Sequence, residues 1–297
     1  MVVQEKKSNL PPKGLKNKGN TCFFNSAMQC ILSISELNAF YRDTLFPREK
    51  KISNAFKQFI LEYEDSAQSC DPRNLISVFN TKMKLFNGMQ QDSHEFLIQF
   101  IDLLYTEFDW NKDVFTTIDE FEEARKQNLI AKTLLSMDRQ ILICEMCKYS
   151  STTIVTNSTI LIEPYASVQE GIDRYYEEVM LEGEDSWKCD KCGKKKGTIK
   201  RMENLIHPEV LIVHISRFHP RGSKDTASVD ISATLSFNNR KYSLFGVVCH
   251  TGTLSGGHYF AEAKRSGTWR IYNDEQVTKG FKGYNGSHPY MAFYTLW

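Results

Sequence analysis

The first half of this chain carries its apolar residues at helical spacing, and the second half carries them in runs and alternations at strand spacing. Ile52, Ala55, Phe56, Phe59, Ile60 and Tyr63 recur at intervals that line one face of a helix. Phe96, Leu97, Phe100, Ile101, Leu104 and Phe108 form another such stripe. Asp71-Pro72 predicts a helix start with an aspartate cap and a first-turn proline. Thr117–Lys126 is acidic and compatible with a helix, and Phe23–Ser33 predicts one capped by Asn20 or Thr21. From Gln140 the pattern changes. Val210–Ile215, Lys241–His250, Tyr259–Lys264, Trp269–Tyr272 and Tyr290–Leu296 are apolar or alternating and rich in β-formers. Arg221–Asn239 is polar, with Gly222 and Asn238-Asn239, and reads as a loop holding one short strand. No internal repeat or low-complexity tract interrupts the pattern. The fold class expected is α+β, with a helical N-terminal lobe and a β-rich C-terminal lobe.

Composition changes this picture little. A chain of 297 residues with 41% hydrophobic and 25% charged residues has the balance of an ordinary globular protein of one or two domains. A net charge of +1 gives no reason to expect a nucleic-acid or membrane partner. No apolar run is long enough to span a bilayer. Residues 1–13 are polar, carry Pro11-Pro12 and lack the apolar core of a signal peptide, so they read as a flexible tail. The compartment expected is therefore cytoplasmic or nuclear, where structural disulfides are rare.

That expectation decides how the eight cysteines are read. Cys144-Glu-Met-Cys147 and Cys189-Asp-Lys-Cys192 are two Cys-x-x-Cys knuckles. Together they offer four thiolates for a closed, tetrahedral, structural zinc site. Gly193 permits the tight turn after the second. A redox role is the competing reading, but two pairs bracketing a strand-rich insertion favour the metal. Cys30, Cys70 and Cys249 are left as buried thiols.

Cys22, His258 and Asn273 stand in the chain order of a papain-type thiol protease, with a nucleophile, a base and a group that aims the base. A helix N-terminus and a nearby imidazolium both favour a thiolate at Cys22. The stretch Tyr259–Tyr272 predicts a hairpin with Ser266-Gly267 at its tip. A two-residue loop places His258 opposite Glu275, Asn273 diagonally on the same face and Asp274 on the other. Asn273 is thus the expected orienting residue and Asp274 a nearby assisting one.

Gly14–Gln29 resembles the cysteine box of the ubiquitin-specific proteases, the large family of deubiquitinating enzymes. Gly257-His-Tyr with Trp269–Val277 is similar to that family's histidine box. Gln90–Leu97 and Glu209–Phe218 resemble two further boxes in the family's order, so the likeness runs from Gly14 to Trp297. The resemblance implies a papain-like hand of thumb, palm and fingers. Its divisions would be a helical lobe over 14–139, a zinc-bearing insertion over 140–205 and a β-rich lobe with the histidine box over 206–297. The implied activity is hydrolysis at the C-terminal glycine of ubiquitin through a Cys22 thioester, by a monomeric catalytic domain open to a regulatory partner. Asn17 falls where the family places an amide that helps bind the oxyanion. Asp92 and Glu95 fall where acidic residues hold ubiquitin's basic tail, although Asp-x-x-Glu also reads as a helix-capping pair. Gly256-Gly257 would leave room for the substrate backbone, and Gly257, Tyr259 and His250 are the remaining expected contacts of the tail channel. Two rivals stay open: the same chemistry on a ubiquitin-like modifier, and a zinc-stabilised ubiquitin-binding scaffold without turnover.

Overall fold

The computed structural model describes residues 10–108, 115–219, 223–253, 256–281, 285–286 and 288–297. The chain enters through a short strand, β1 (Gly14–Leu15), followed by α1 (Cys22–Ile31), α2 (Ser35–Asp43) and α3 (Lys51–Asp65). Next, β2 (Ser69–Cys70) pairs in parallel with β1 and leads to α4 (Arg73–Asn80), α5 (Ser93–Thr106), α6 (Ile118–Gln127) and α7 (Leu129–Leu134). The α3 and α5 stripes face the core, where Phe56, Ile60, Phe96 and Leu97 are fully buried. Every residue of α1 is buried, which makes it the spine of the lobe.

Helix starts follow local chemistry with two departures from expectation. Asp92 caps α5, and Thr117 with Glu120 forms a complete capping box on α6. On α1, however, Thr21 occupies the cap position without bonding the first turn. Its hydroxyl instead accepts from the Lys18 N–H at 2.9 Å and donates to the Asn17 side-chain oxygen at 3.3 Å. In α4, Pro72 is the cap residue rather than the first helical one, and Asp71 accepts from the Arg73 N–H at 3.1 Å.

Then follow β3 (Ser136–Cys144), β4 (Ser150–Asn157), β5 (Ile160–Ile162), α8 (Val168–Tyr176), β6 (Val179–Leu181) and β7 (Thr198–Ile206). The remaining strands are β8 (Val210–Ile215), β9 (Val229–Asp230), β10 (Thr234–Phe237), β11 (Arg240–Gly252), β12 (Gly257–Arg265), β13 (Thr268–Asn273), β14 (Gln276–Lys279), β15 (Asn285–Gly286) and β16 (Pro289–Leu296). A four-stranded sheet runs β4-β3-β7-β6, and an eight-stranded sheet runs β14-β13-β12-β11-β16-β8-β5 with β10 beside β11.

The large sheet is buried on both faces, which explains why its central strands read as continuous apolar runs. Val248, Met291 and Phe293 pack toward α1 and α5, whereas Val247, Ala292 and Tyr294 pack toward α8. A register shift between Leu244 and Gly246 changes the parity of β11, so that its residues in the cluster beside α8 are Tyr242 and Leu244 before it and Val247 and Cys249 after it.

Two expectations fail here. The segment read as a loop with one strand holds both β9 and β10, because Val229, Ile231, Leu235 and Phe237 alternate inward with polar neighbours outward. Arg221 and Gly222 of that segment lie outside the described residues. The expected flexible tail also ends before Lys13, although residues 1–9 lie outside the described residues. Leu10 is 2% exposed, the Pro11 carbonyl accepts from Arg265, and the Lys13 carbonyl accepts from Gln29 at 2.9 Å.

Candidate active site

Cys22 is the first residue of α1 and His258 lies at the start of β12, so the site forms where the buried helix meets the large sheet. Asn273 Oδ1 accepts from His258 Nε2 at 2.6 Å, and the ring is also hydrogen-bonded to the Cys22 sulfur. With Nε2 taken, Nδ1 is the nitrogen left for the thiol. The bond to Cys22 is the main cause that raises the His258 pKa to about 9; the Asn273 bond and the Asp274 charge add to it, against burial. The ring therefore keeps its proton through neutral pH.

The hairpin that carries this geometry pairs Arg265 with Thr268 and stays in register to Ala261 and Tyr272. Ser266 and Gly267 turn at φ 49° and 75°, the left-handed pair that a two-residue loop demands. Beyond Tyr272 the strands part, and the expected pairing of His258 with Glu275 does not form. His258 pairs instead with Thr251 on β11, and Asn273 with Gln276 on β14. The Asn273 side chain crosses the gap. Asp274, at φ 49° in the next turn, faces away from the imidazole, and its Oδ2 accepts from the Asn17 amide at 2.9 Å. The other end of Asn17 accepts from the Gly19 and Thr21 N–H groups at 3.0 and 3.2 Å. Asn17 is thus locked beside Cys22 with one amide proton uncommitted by these bonds.

The expected substrate contacts divide. Glu95 is exposed and accepts from Gln99 at 3.1 Å. Asp92 accepts from the His94 and Glu95 N–H groups at 2.7 and 2.9 Å, and its other oxygen from the Tyr290 hydroxyl. Its carboxylate is committed to structure, so the capping half of the earlier alternative describes its bonds. His250 and Tyr259 are not lining groups: they are 3% and 4% exposed and pack ring to ring at 4.5 Å. Burial, with Lys224 and His258 nearby, lowers the His250 pKa to about 4. Gly257 serves a different purpose from the one expected, since a Cβ there would sit 2.1 Å from His250 Nε2. Gly256 is the open one, with nothing within 4 Å of that position. Sequence reading missed Tyr290 entirely; an apolar terminal strand gave no sign that its tyrosine reaches the α5 cap. His94 stacks on His214 at 3.7 Å and bonds Thr159, a seam between α5 and the sheet.

At the far end of the small sheet the four expected cysteines meet. All the sulfurs of Cys144, Cys147, Cys189 and Cys192 lie within 4.8 Å of one another. Cys144 and Cys192 are 3.8 Å apart, and Cys147 and Cys189 are 3.6 Å apart. A tetrahedron with Zn–S bonds of about 2.3 Å has edges of about 3.8 Å, so the cluster has the size of a tetrathiolate metal cage. Lys148 and Gly193 take φ 57° and 68° at the two knuckle turns.

A family model described as ubiquitin carboxyl-terminal hydrolase matches residues 13–294. The chain is 26% identical over 322 residues to ubiquitin carboxyl-terminal hydrolase Usp2 of Drosophila melanogaster, covering 95% of this chain and 34% of that protein. It is 27% identical over 331 residues to ubiquitin carboxyl-terminal hydrolase 2 of Homo sapiens, covering 95% of this chain and 55% of that one. It therefore spans about a third to a half of the length of these relatives. Its fold is that of a chain in the yeast SAGA DUBm structure, with a TM-score of 0.77 at 21% identity, over 100% of this chain and 71% of that one. A SAGA DUB module structure bound to monoubiquitin gives 0.75 at 22% identity, over 96% and 69%. With the family match running across both lobes and the cysteine cluster, the chain belongs to the ubiquitin carboxyl-terminal hydrolase family.

Proposed function

We propose that this chain is a thiol-dependent deubiquitinase that cleaves isopeptide, peptide or ester bonds at the C-terminal glycine of ubiquitin. The observation that carries the reading is the His258 ring, bonded to the Cys22 sulfur and to Asn273. Cys22 attacks the glycyl carbonyl, and the oxyanion is met by the spare amide proton of Asn17 and backbone N–H groups at the start of α1. His258 gives its proton to the departing amine or alcohol, leaving a thioester on Cys22. The neutral imidazole then takes a proton from water, whose hydroxyl adds to the thioester, and keeps that proton as the Cys22 thiolate departs and the acid is released, which restores the starting state. Asn273 holds the ring in register throughout. Gly256, open on its side-chain face, lies beside the path of a Gly-Gly tail, and exposed Glu95 offers a carboxylate to that tail's basic side chains.

Cys144, Cys147, Cys189 and Cys192 would hold one structural zinc, which supplies folding energy to the small sheet and no chemistry to the site. Catalysis and metal binding both need free thiols, and all eight cysteines are free, which supports a reducing compartment, cytoplasm or nucleus.

The test is a ubiquitin probe with a C-terminal electrophile, run beside SUMO-type and interferon-induced modifier probes. A single adduct on Cys22 with the ubiquitin probe, lost in Cys22→Ala, is expected. Labelling only by another modifier overturns the substrate; no labelling by any probe leaves a binding scaffold.

A further inference from the structure

We infer that Asn25, which the mechanism above does not use, is a positioning residue that fixes the oxyanion-binding amide of Asn17 by way of Asp274. The inference rests on the reading of Asn17 just given. Asn25 lies three residues after Cys22 on α1, nearly one turn along the same helix face, and is 2% exposed. Its Nδ2 donates to Asp274 Oδ1 at 2.7 Å and more weakly to the Leu15 carbonyl at 3.3 Å. The second Asp274 oxygen accepts from Asn17 Nδ2 at 2.9 Å, and the Asp274 carbonyl accepts from the Leu15 N–H at 2.8 Å. One carboxylate therefore joins two amides, one on the nucleophile's own helix and one on the loop that precedes it.

Two features make this more than packing. The Asn25 side-chain oxygen, Oδ1, is buried with no partner among the described residues, so its amide end alone fixes the side chain. A residue kept only to fill the core would not leave an acceptor orphaned there. Asp274 also sits at φ 49°, a backbone strain held by contacts on both sides. Without Asn25, the carboxylate can rotate in its turn, and the Asn17 amide loses the bond that aims its remaining proton. The effect falls on the transition state, where the oxyanion exists, and not on ubiquitin binding.

The test is a double-mutant cycle on steady-state cleavage of a ubiquitin C-terminal fluorogenic amide. Asn25→Ala is expected to lower kcat by about tenfold or more, within the hundred- to thousandfold that loss of an oxyanion donor costs. KM, and the ubiquitin Kd measured in a Cys22→Ala background, should stay within about twofold. In an Asn17→Ala background the same change should cost nothing further, because it acts through Asn17. Since removal of a buried amide can harm folding, the exchange Asn25→Asp with Asp274→Asn is the second arm. Asn25→Asp alone opposes two carboxylates and should be damaging. The pair restores a donor and an acceptor to both side-chain bonds of residue 274, losing only the weaker bond to the Leu15 carbonyl, and should recover much of kcat. If Asn17→Ala leaves kcat at wild type, the oxyanion reading falls and this inference with it. If Asn17→Ala is damaging but Asn25→Ala is silent, or is fully additive with it, only the present inference is overturned. Failure of the exchange to recover kcat in a folded protein overturns it as well.

Discussion

Gly14→Ala tests whether the N-terminal strand sets the geometry of a site whose proposed nucleophile lies eight residues further on. Gly14 has ordinary backbone angles, and its reason for being glycine is contact. A Cβ would lie 2.3 Å from the Glu275 carbonyl oxygen, 2.4 Å from its carbon and 2.6 Å from its Cα. The obstructing atoms are backbone, so no side chain can swing aside. Gly14 itself is pinned, since its N–H donates to the Gln68 carbonyl at 3.3 Å and its strand pairs with Ser69–Cys70. Reaching even a 3.0 Å contact requires the Asp274–Glu275 turn to retreat by about 0.7 Å. That turn carries Asn273, whose 2.6 Å bond to His258 would stretch to as much as about 3.3 Å, the weak end of hydrogen bonding. Misplacing a catalytic group by about 1 Å can cost a hundredfold, so a fall in kcat of roughly ten- to a hundredfold is expected. Overpacking should also remove about 1–3 kcal/mol of stability. The assay is kcat on a ubiquitin C-terminal fluorogenic amide, with Tm and ubiquitin affinity measured on the same protein. A lower Tm with kcat within twofold of wild type would refute the reasoning, because the turn would then move without the triad.

His258 binds its proton more tightly in the folded chain than in the unfolded one, because its pKa rises from 6.5 to about 9. Its contribution to stability is therefore complete below about pH 6.5 and lost as pH rises through about 9. The alkaline limb of kcat/KM should fall near that upper value and move down in Asn273→Ala; a wild-type limb near pH 6.5 would remove the protonated His258 from the mechanism. Cys189→Ser should release about one equivalent of zinc by metal analysis and lower Tm, and zinc-free protein that is folded and reduced would dispose of the cage. Asp92→Ala should lower Tm, at a cost of about 1 kcal/mol for the lost cap, while Glu95→Ala should weaken ubiquitin affinity without it. The reverse pattern would return Asp92 to the tail channel.

Much of this was legible because it rests on local rules. The α3 and α5 stripes, the β8, β12 and β16 strands and the cysteine knuckles each depend on spacing within a few residues. The hairpin tip at Ser266-Gly267 fixed which of two adjacent residues faces His258, since parity alone separates Asn273 from Asp274. What escaped was set by contacts across the chain. His250 fills the space above Gly257, a relation between neighbouring strands that no spacing encodes. Leu10–Lys13 resembled a loose tail because its partners, Gln29, Tyr63 and Arg265, are far away in sequence.

One signal was available and unread. On the wholly buried α1, where Ser26 turns toward Ser93 of α5, the polar side chains at Cys22, Asn25 and Gln29, with Ser33 just past its end, fall at intervals of three or four that make a single stripe. On a solvent-facing helix such a stripe would be unremarkable, but within a buried one each member must find a partner. Each does so against the N-terminal strap, the β12–β13 hairpin or the turn that follows β13. Cys22 meets His258, Asn25 meets Asp274, and Gln29 and Ser33 meet Arg265, whose guanidinium is 1% exposed and also bonds Tyr63 at 2.6 Å. The stripe thus runs from the reactive end of the hairpin at His258 to its turn at Arg265. The same helix that presents the thiol also clamps, three turns away, the strand that carries the base. A two-lobed site needs such a connection, because its proposed nucleophile and base, Cys22 and His258, come from opposite ends of the chain. Here the connection is polar, and burial makes each of its bonds costly to leave unmade.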